Sequence, residues 1–118
     1  MGRRMAKRKR TAFTKHDFYK EYFELYQFLA KFNVTVYGPV RDWDAVWGRH
    51  TPLTVTPERY SVIRQQADAI LAMSPFPKQA IIDILNRHFE VKSEVRPWFE
   101  KVLKLLKQRV DLEHPGWN

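Results

Sequence analysis

The chain contains no cysteine and only four glycines among its 118 residues. The absence of cysteine excludes disulfides, thiolate catalysis and cysteine-ligated metal centres. None of the glycines forms part of a glycine-rich loop that could hold phosphate groups. No segment approaches the roughly 18 apolar residues of a membrane-spanning helix, and residues 1–10 lack the apolar core of a secretory signal. These absences favour an intracellular protein without a disulfide-stabilised scaffold.

Patterns typical of catalysis and metal binding are also missing. No two of the four histidines have the spacing of metal ligands on one helix. Asp42 and Asp44 are two residues apart, so on a helix they would point away from each other. The serines have no neighbouring base in the sequence. We therefore expect a non-enzymatic protein with no metal and no cofactor.

Positive charge is concentrated at one end of the chain. Residues 1–15 contain seven lysines and arginines and no acid, whereas residues 16–118 contain fourteen cations and thirteen acids. Like charges at this density repel one another, so such a segment is disordered alone and attracts anions. We expect a flexible basic arm, residues 1–13, followed by a single helical domain, residues 14–118. The cations expected to bind phosphates are Arg3, Arg4, Lys7, Arg8, Lys9 and Arg10.

A nucleic-acid backbone is the anion that best suits this arm, because each phosphate contact releases condensed counterions. Two other roles stay open: the arm aids solubility, or it is a targeting signal, since residues 7–10 have the composition of a nuclear-import signal. No acylation site or amphipathic segment accompanies the arm, so we expect no membrane partner. The expected location is the cytoplasm or the nucleoid, or the nucleus in a eukaryote.

Residues 15–32 are predicted to form one aromatic-rich helix. Thr14 and Asp17 have the spacing of a capping box, and Phe13 and Phe18 occupy the positions of a hydrophobic staple. Apolar side chains cover more than half of the helix circumference. The helix is therefore expected to be the centre of the core or a homodimer or protein interface, with base stacking on exposed aromatics as the alternative.

The remaining chain predicts a mainly α fold of about four main helices, with a short extended or β element near residues 33–37. Asn33 is a candidate left-handed helix stop. Thr56-Pro57 begins the second main helix, residues 78–89 form the third, and the last runs from Glu94 or Pro97 to Val110. The aromatic helix should pack against these three helices. A turn near the end is expected to place Trp117 on the domain.

The last helix carries a stripe of lysines on its outer face. Lys101, Lys104 and Lys107 lie opposite its apolar side and could contact phosphates beside the arm, although three lysines also suit an ordinary solvated face. Residues 80–110 can be threaded as a helix-turn-helix, with its first helix within 78–89 and its turn at 90–93, in which Ser93 and Arg96 would face the bases. A plain antiparallel helical hairpin explains the same pattern.

One short segment resembles a known family. Residues 8–14, RKRTAFT, are similar to the N-terminal arm of homeodomains, which enters the minor groove of DNA, and Trp98-Phe99 is similar to a pair in their recognition helix. Glu100-Lys101 stands where homeodomains carry asparagine, and the distance from the arm to Trp98 is too long for such a domain. The resemblance therefore implies a minor-groove arm and nothing more.

These observations favour a small nucleic-acid-binding protein, with DNA preferred to RNA, acting as a regulator or an accessory factor of a mobile element. The first alternative is a protein-interaction module, an inhibitor or adaptor. Its surface would be formed by the surplus aromatic residues Tyr19, Phe23, Trp43, Trp47 and Trp117. The second alternative is an RNA-bound ribosomal accessory protein that uses the same arm.

Overall fold

The structure, a computed structural model, describes residues 13–33 and 55–117. Within these two ranges the chain is mainly helical and contains no strand, which confirms the predicted fold class. The elements in chain order are α1 (Lys15–Glu21), α2 (Phe23–Ala30), α3 (Pro57–Leu71), α4 (Lys78–Leu85), a 3-10 turn (Lys92–Glu94) and α5 (Val95–Glu113). The six cations of the arm, and the predicted extended element at 33–37 except for Asn33, lie outside the described residues.

Helix α1 begins as its sequence predicts. The Thr14 hydroxyl accepts a hydrogen bond from the backbone N–H of Asp17 at 3.2 Å, and the Asp17 carboxylate accepts one from the Thr14 N–H at 2.8 Å. The Phe13 and Phe18 rings pack edge to face, with centroids 5.2 Å apart. The capping box and the staple are both confirmed, because each depends only on residues within five positions of one another.

The predicted single helix over residues 15–32 is wrong: the chain leaves helical geometry at Tyr22, where φ is −137° and ψ is 57°. The Leu25 N–H, at the start of α2, donates instead to the side-chain oxygen of Gln66 on α3, at 2.9 Å. A side chain from another helix thus satisfies a donor that every new helix N-terminus exposes. The break lets α1 pack on α4 while α2 packs on both α3 and α4.

The apolar face of the α1–α2 pair forms the centre of the core, as expected of the aromatic segment. Phe18, Leu25 and Leu29 are fully buried. The Phe32 ring meets the Trp98 ring of α5 edge to face, with centroids 5.3 Å apart. The pair thus contacts α3 and α4, and Phe32, which follows α2, contacts α5. The other buried side chains include Tyr60, Ile63, Ile70, Ile81, Leu85, Phe99, Val102, Leu103, Leu106 and Val110.

The end of α4 and the link to α5 differ from the predicted helix over residues 78–89 and from the predicted turn at residues 90–93. The helix expected to reach residue 89 ends at Leu85, because Asn86 adopts the left-handed conformation with φ 48°. Asn33, predicted to be left-handed, does not have a positive φ; its side-chain amide donates to the Ile84 carbonyl at 2.7 Å. The link to α5 thus runs from residue 86 to residue 94, which is longer than the three- to four-residue turn of a helix-turn-helix.

Replacing Gln66 with alanine is expected to lower the free energy of unfolding by about 1–3 kcal/mol, because the Leu25 N–H loses its acceptor in a partly buried place. Gln65→Ala is the matched control, since it makes the same change of helix propensity at an exposed neighbouring position of α3. Urea unfolding measures both. Equal stability of the two variants would show that Gln66 does not hold the break in place.

Candidate nucleic-acid interface

The lysine stripe predicted on the last helix lies on the outward side of α5. Lys101 and Lys104 are exposed, and Lys107 is half-buried. Their helix turns its other side, which includes Trp98, Val102, Leu106 and Val110, into the core. Successive lysines of the stripe are three residues apart, which separates them by about 4.5 Å along the helix axis. The stripe therefore presents its first two amines to solvent on a rigid, well-packed element.

Lys107 differs from the other two lysines in being less exposed, and two of its partners lie near the end of α5. Its ammonium nitrogen lies 3.0 Å from a carboxylate oxygen of Asp111, one helical turn later. The same nitrogen stands 5.6 Å from the centroid of the Trp117 ring. A phosphate contact at Lys107 would compete with both interactions. The sequence pattern, which treats the three lysines as equivalent, could not show this difference.

The terminal tryptophan is fixed on the domain, as predicted. The Trp117 indole N–H donates to an Asp111 carboxylate oxygen at 2.7 Å, and its ring meets the Tyr60 ring edge to face at 5.7 Å. The hydrogen bond from Trp117, followed by the one from Lys107, holds the pKa of the Asp111 carboxyl below its ordinary value. Trp117, Lys107 and Asp111 thus join the chain end to α3 and α5.

A groove of about 340 Å³ runs between α3 and α5 beside these residues. The groove brings Arg64 of α3 beside Lys104 and Lys107 of the stripe. The sequence analysis missed Arg64. Arg64 pairs with Asp68 at 2.9 Å and interacts with the phenol of Tyr60, whose pKa burial raises and Arg64 partly lowers. Its place beside the lysines follows from the packing of α3 on α5, for which the sequence offered no signal. The groove is lined by Tyr60, Arg64, Glu100, Leu103, Lys104, Lys107, Gln108 and Asp111.

The predicted base-facing residues stand at the start of α5 and are exposed. Ser93 belongs to the 3-10 turn that precedes the helix. Arg96 lies over the Phe76 ring at 5.2 Å from its centroid and approaches the Glu100 carboxylate at 3.7 Å. Glu100 stands four residues from both Arg96 and Lys104, so an acid separates these two cations along the helix face.

Most carboxylates of the described residues are engaged by nearby groups. Eleven acidic side chains and thirteen lysines and arginines lie in residues 13–33 and 55–117. At least seven of these acids have partners within the same ranges. They are Asp17, Glu24, Asp68, Asp83, Glu100, Asp111 and Glu113. The described part of the domain is therefore close to neutral and largely balanced by its own ion pairs and hydrogen bonds.

Three aromatic side chains pack together on the outer side of the α1–α2 pair. The Tyr19 ring lies 5.3 Å from the Phe23 ring and 5.4 Å from the Tyr26 ring, both nearly perpendicular to it. Tyr19 is 51% exposed and Phe23 is 41% exposed, while Tyr26 is half-buried. We call these three residues the ring cluster. Of the other surplus aromatics, Trp117 packs on the domain, and Trp43 and Trp47 lie outside the described residues.

Searches of the described residues and comparisons with known proteins add no further assignment. Residues 13–33 and 55–117 contain no group of three or more metal-ligating side chains. None of the helices in these ranges is long and apolar enough to cross a bilayer. No family model, curated protein or solved structure matches the chain.

Lowering the pH is expected to weaken the hydrogen bond between Trp117 and Asp111 only below the ordinary carboxyl pKa of 3.8, because the charge on the acceptor is lost. Because the folded state lowers this pKa, the contact stabilises the fold above that value, and this stabilisation is lost as the pH falls through the lowered one. The indole N–H resonance of Trp117, followed by NMR, should report this step. In Asp111→Asn the amide oxygen can still accept the bond but does not titrate, so the resonance should not shift. A midpoint at or above 3.8 in the unmodified protein would contradict the assignment.

Proposed function

We propose that this protein is a small non-enzymatic nucleic-acid-binding protein whose basic arm contacts phosphates. The observation that carries the proposal is the separation of charge. Residues 1–12 contain six lysines and arginines and no acid, whereas the described part of the domain carries thirteen cations and eleven acids. A polycationic segment attached to a nearly neutral domain suits a polyanionic ligand better than it suits the domain itself.

The internal ion pairs support the same proposal. Arg59 and Glu24 join α3 to α2 at 2.9 Å, and Arg109 and Glu113 pair within α5 at 3.1 Å. Carboxylates held in this way have fewer open positions for another cation. At least five of the eleven described acids have a cationic partner of this kind, and Asp17 and Asp83 accept hydrogen bonds from uncharged groups. The arm charge is therefore better matched by phosphates outside the chain.

The exposed lysines of α5 offer a second, weaker contact. Lys101 and Lys104 are solvent-facing on a rigid helix, which suits positioning contacts to a phosphate backbone. Ser93 and Arg96 near the start of the same helix stay candidates for base contacts. We expect Lys107 to contribute less than its neighbours, because Asp111 and Trp117 already hold it.

DNA is the preferred ligand in this proposal, because residues 8–14 resemble an arm that enters the minor groove. The corresponding role is a regulator or an accessory factor of a mobile element, in the cytoplasm or nucleoid, or in the nucleus of a eukaryote. A ribosomal accessory protein would use the same arm on structured RNA. Competition between duplex DNA and a structured RNA of equal charge separates these two roles.

Deleting residues 1–10 is expected to weaken binding to duplex DNA and to flatten its salt dependence. If about five phosphates are neutralised, the slope of log affinity against log salt should be near −4.5 for the full chain, at about −0.9 per phosphate. Fluorescence anisotropy over a series of salt concentrations measures the slope. Unchanged affinity and slope after the deletion would reject the role of the arm.

Replacing Lys101 and Lys104 together with glutamine is expected to reduce the magnitude of the same slope by up to about 1.8, because two phosphate contacts are removed. Lys78→Gln/Lys92→Gln is the matched control, since it removes the same charge from exposed positions on α4 and on the 3-10 turn. If the control pair reduces the slope equally, α5 has no special place in the interface.

A further inference from the structure

Part of the aromatic surface of the ring cluster is not buried in the folded domain. Tyr19 and Phe23 are among the few large apolar or aromatic side chains that remain well exposed in the described residues. Tyr26, the third member, is partly buried against the core and packs its ring against that of Tyr19. The perpendicular ring contacts hold the exposed pair in a defined arrangement. Such an ordered, exposed pair of rings suits a ligand that offers flat apolar faces.

The charges around the ring cluster favour an anionic ligand. On α1, Lys15 precedes Tyr19 by four residues and lies on the same side of the helix. Asp17 is about 160° away around the helix and caps its N-terminus through Thr14. The Glu24 carboxylate next to Phe23 is paired with Arg59 at 2.9 Å. Lysine thus accompanies the rings, while these carboxylates are already engaged.

The basic arm joins the domain just before the helix that carries Tyr19. Phe13 packs its ring against Phe18 and Tyr22, with centroids 5.2 Å and 5.9 Å apart. Tyr19 follows Lys15, the first residue of that helix, by four residues, a rise of about 6 Å along its axis. A strand whose backbone is held by the first cations before Phe13 is therefore close enough to bring its bases to the rings.

We infer that the ring cluster is a base-stacking surface for single-stranded nucleic acid, whose phosphates the basic arm binds. This inference rests on the proposed function and deepens it by naming the form of the ligand. A duplex covers its base faces by internal stacking and presents only their edges in the grooves. A single strand has free base faces, which stack on aromatic side chains regardless of sequence.

A second copy of the chain is a less suitable occupant of the ring cluster. Fully burying an aromatic side chain removes roughly 150–250 Å² from water, so two rings that are about half exposed supply on the order of 200 Å². A stable interface needs about 800 Å² on each partner. One or two bases stacked on two rings match the smaller area.

The test compares Tyr19→Ala and Phe23→Ala with the unmodified chain on two probes, an oligothymidylate and a duplex of equal length. Each substitution is expected to weaken oligothymidylate binding by about 5- to 150-fold, while duplex binding changes less than about twofold. Leu112→Ala is the matched control, because it removes an apolar side chain that is 70% exposed at the end of α5 and should leave both affinities unchanged. Far-UV circular dichroism confirms that each variant is folded.

Two milder variants separate stacking from packing. Tyr19→Trp keeps an aromatic face and should retain oligothymidylate binding, whereas Phe23→Leu keeps apolar volume, loses the ring face and should weaken it. If all ring variants bind oligothymidylate normally while the arm deletion weakens binding, the inference is wrong and the proposed function stands. If the arm deletion changes nothing, the proposed function fails and the inference fails with it. A concentration-dependent dimer in sedimentation velocity that Phe23→Ala dissociates would also overturn the inference, in favour of a second copy.

Discussion

The hydrogen bond from the Leu25 N–H to the Gln66 side chain stabilises the start of α2, and with it the break that lets the aromatic segment pack on several helices. A straight helix with apolar residues around more than half its circumference would leave part of that surface in water, unless neighbours covered it from two directions. The break at Tyr22 divides the segment into two short helices, of which α1 packs on α4 and α2 packs on both α3 and α4. A helix N-terminus created inside the fold needs an acceptor, and Gln66 supplies it from α3.

The parts of the fold that the sequence predicted correctly are those decided by local interactions. The Thr14 capping box and the Thr56-Pro57 start of α3 each depend on side chains within three residues of the cap. The early end of α4 at the left-handed Asn86 is a local feature that the sequence prediction missed, whereas two other errors involve interactions between distant residues. Gln66 lies 41 residues from Leu25, and Asn33 lies 51 residues from the Ile84 carbonyl that it caps. No periodicity within one helix records such pairs.

The candidate site shows the same division between local and long-range information. Helical spacing correctly placed Lys101 and Lys104 on an exposed face. It could not show that Lys107 is held by Trp117, because that contact requires the chain to turn back after α5. Nor could it place Arg64 beside the stripe or leave Tyr19 and Phe23 exposed, since both results depend on how α1, α2 and α3 pack.

The packing of Phe13 against Phe18 and Tyr22 sets a geometric limit on the arm. Arg3 precedes Phe13 by ten residues, so even a fully extended backbone keeps it within about 35 Å of that anchor. All six cations between Arg3 and Arg10 share this limit. Measured along one strand of duplex DNA at about 3.4 Å per nucleotide, their backbones can span no more than roughly ten positions from the domain. The anchor thereby defines a maximum footprint for these cations, whatever path the arm takes.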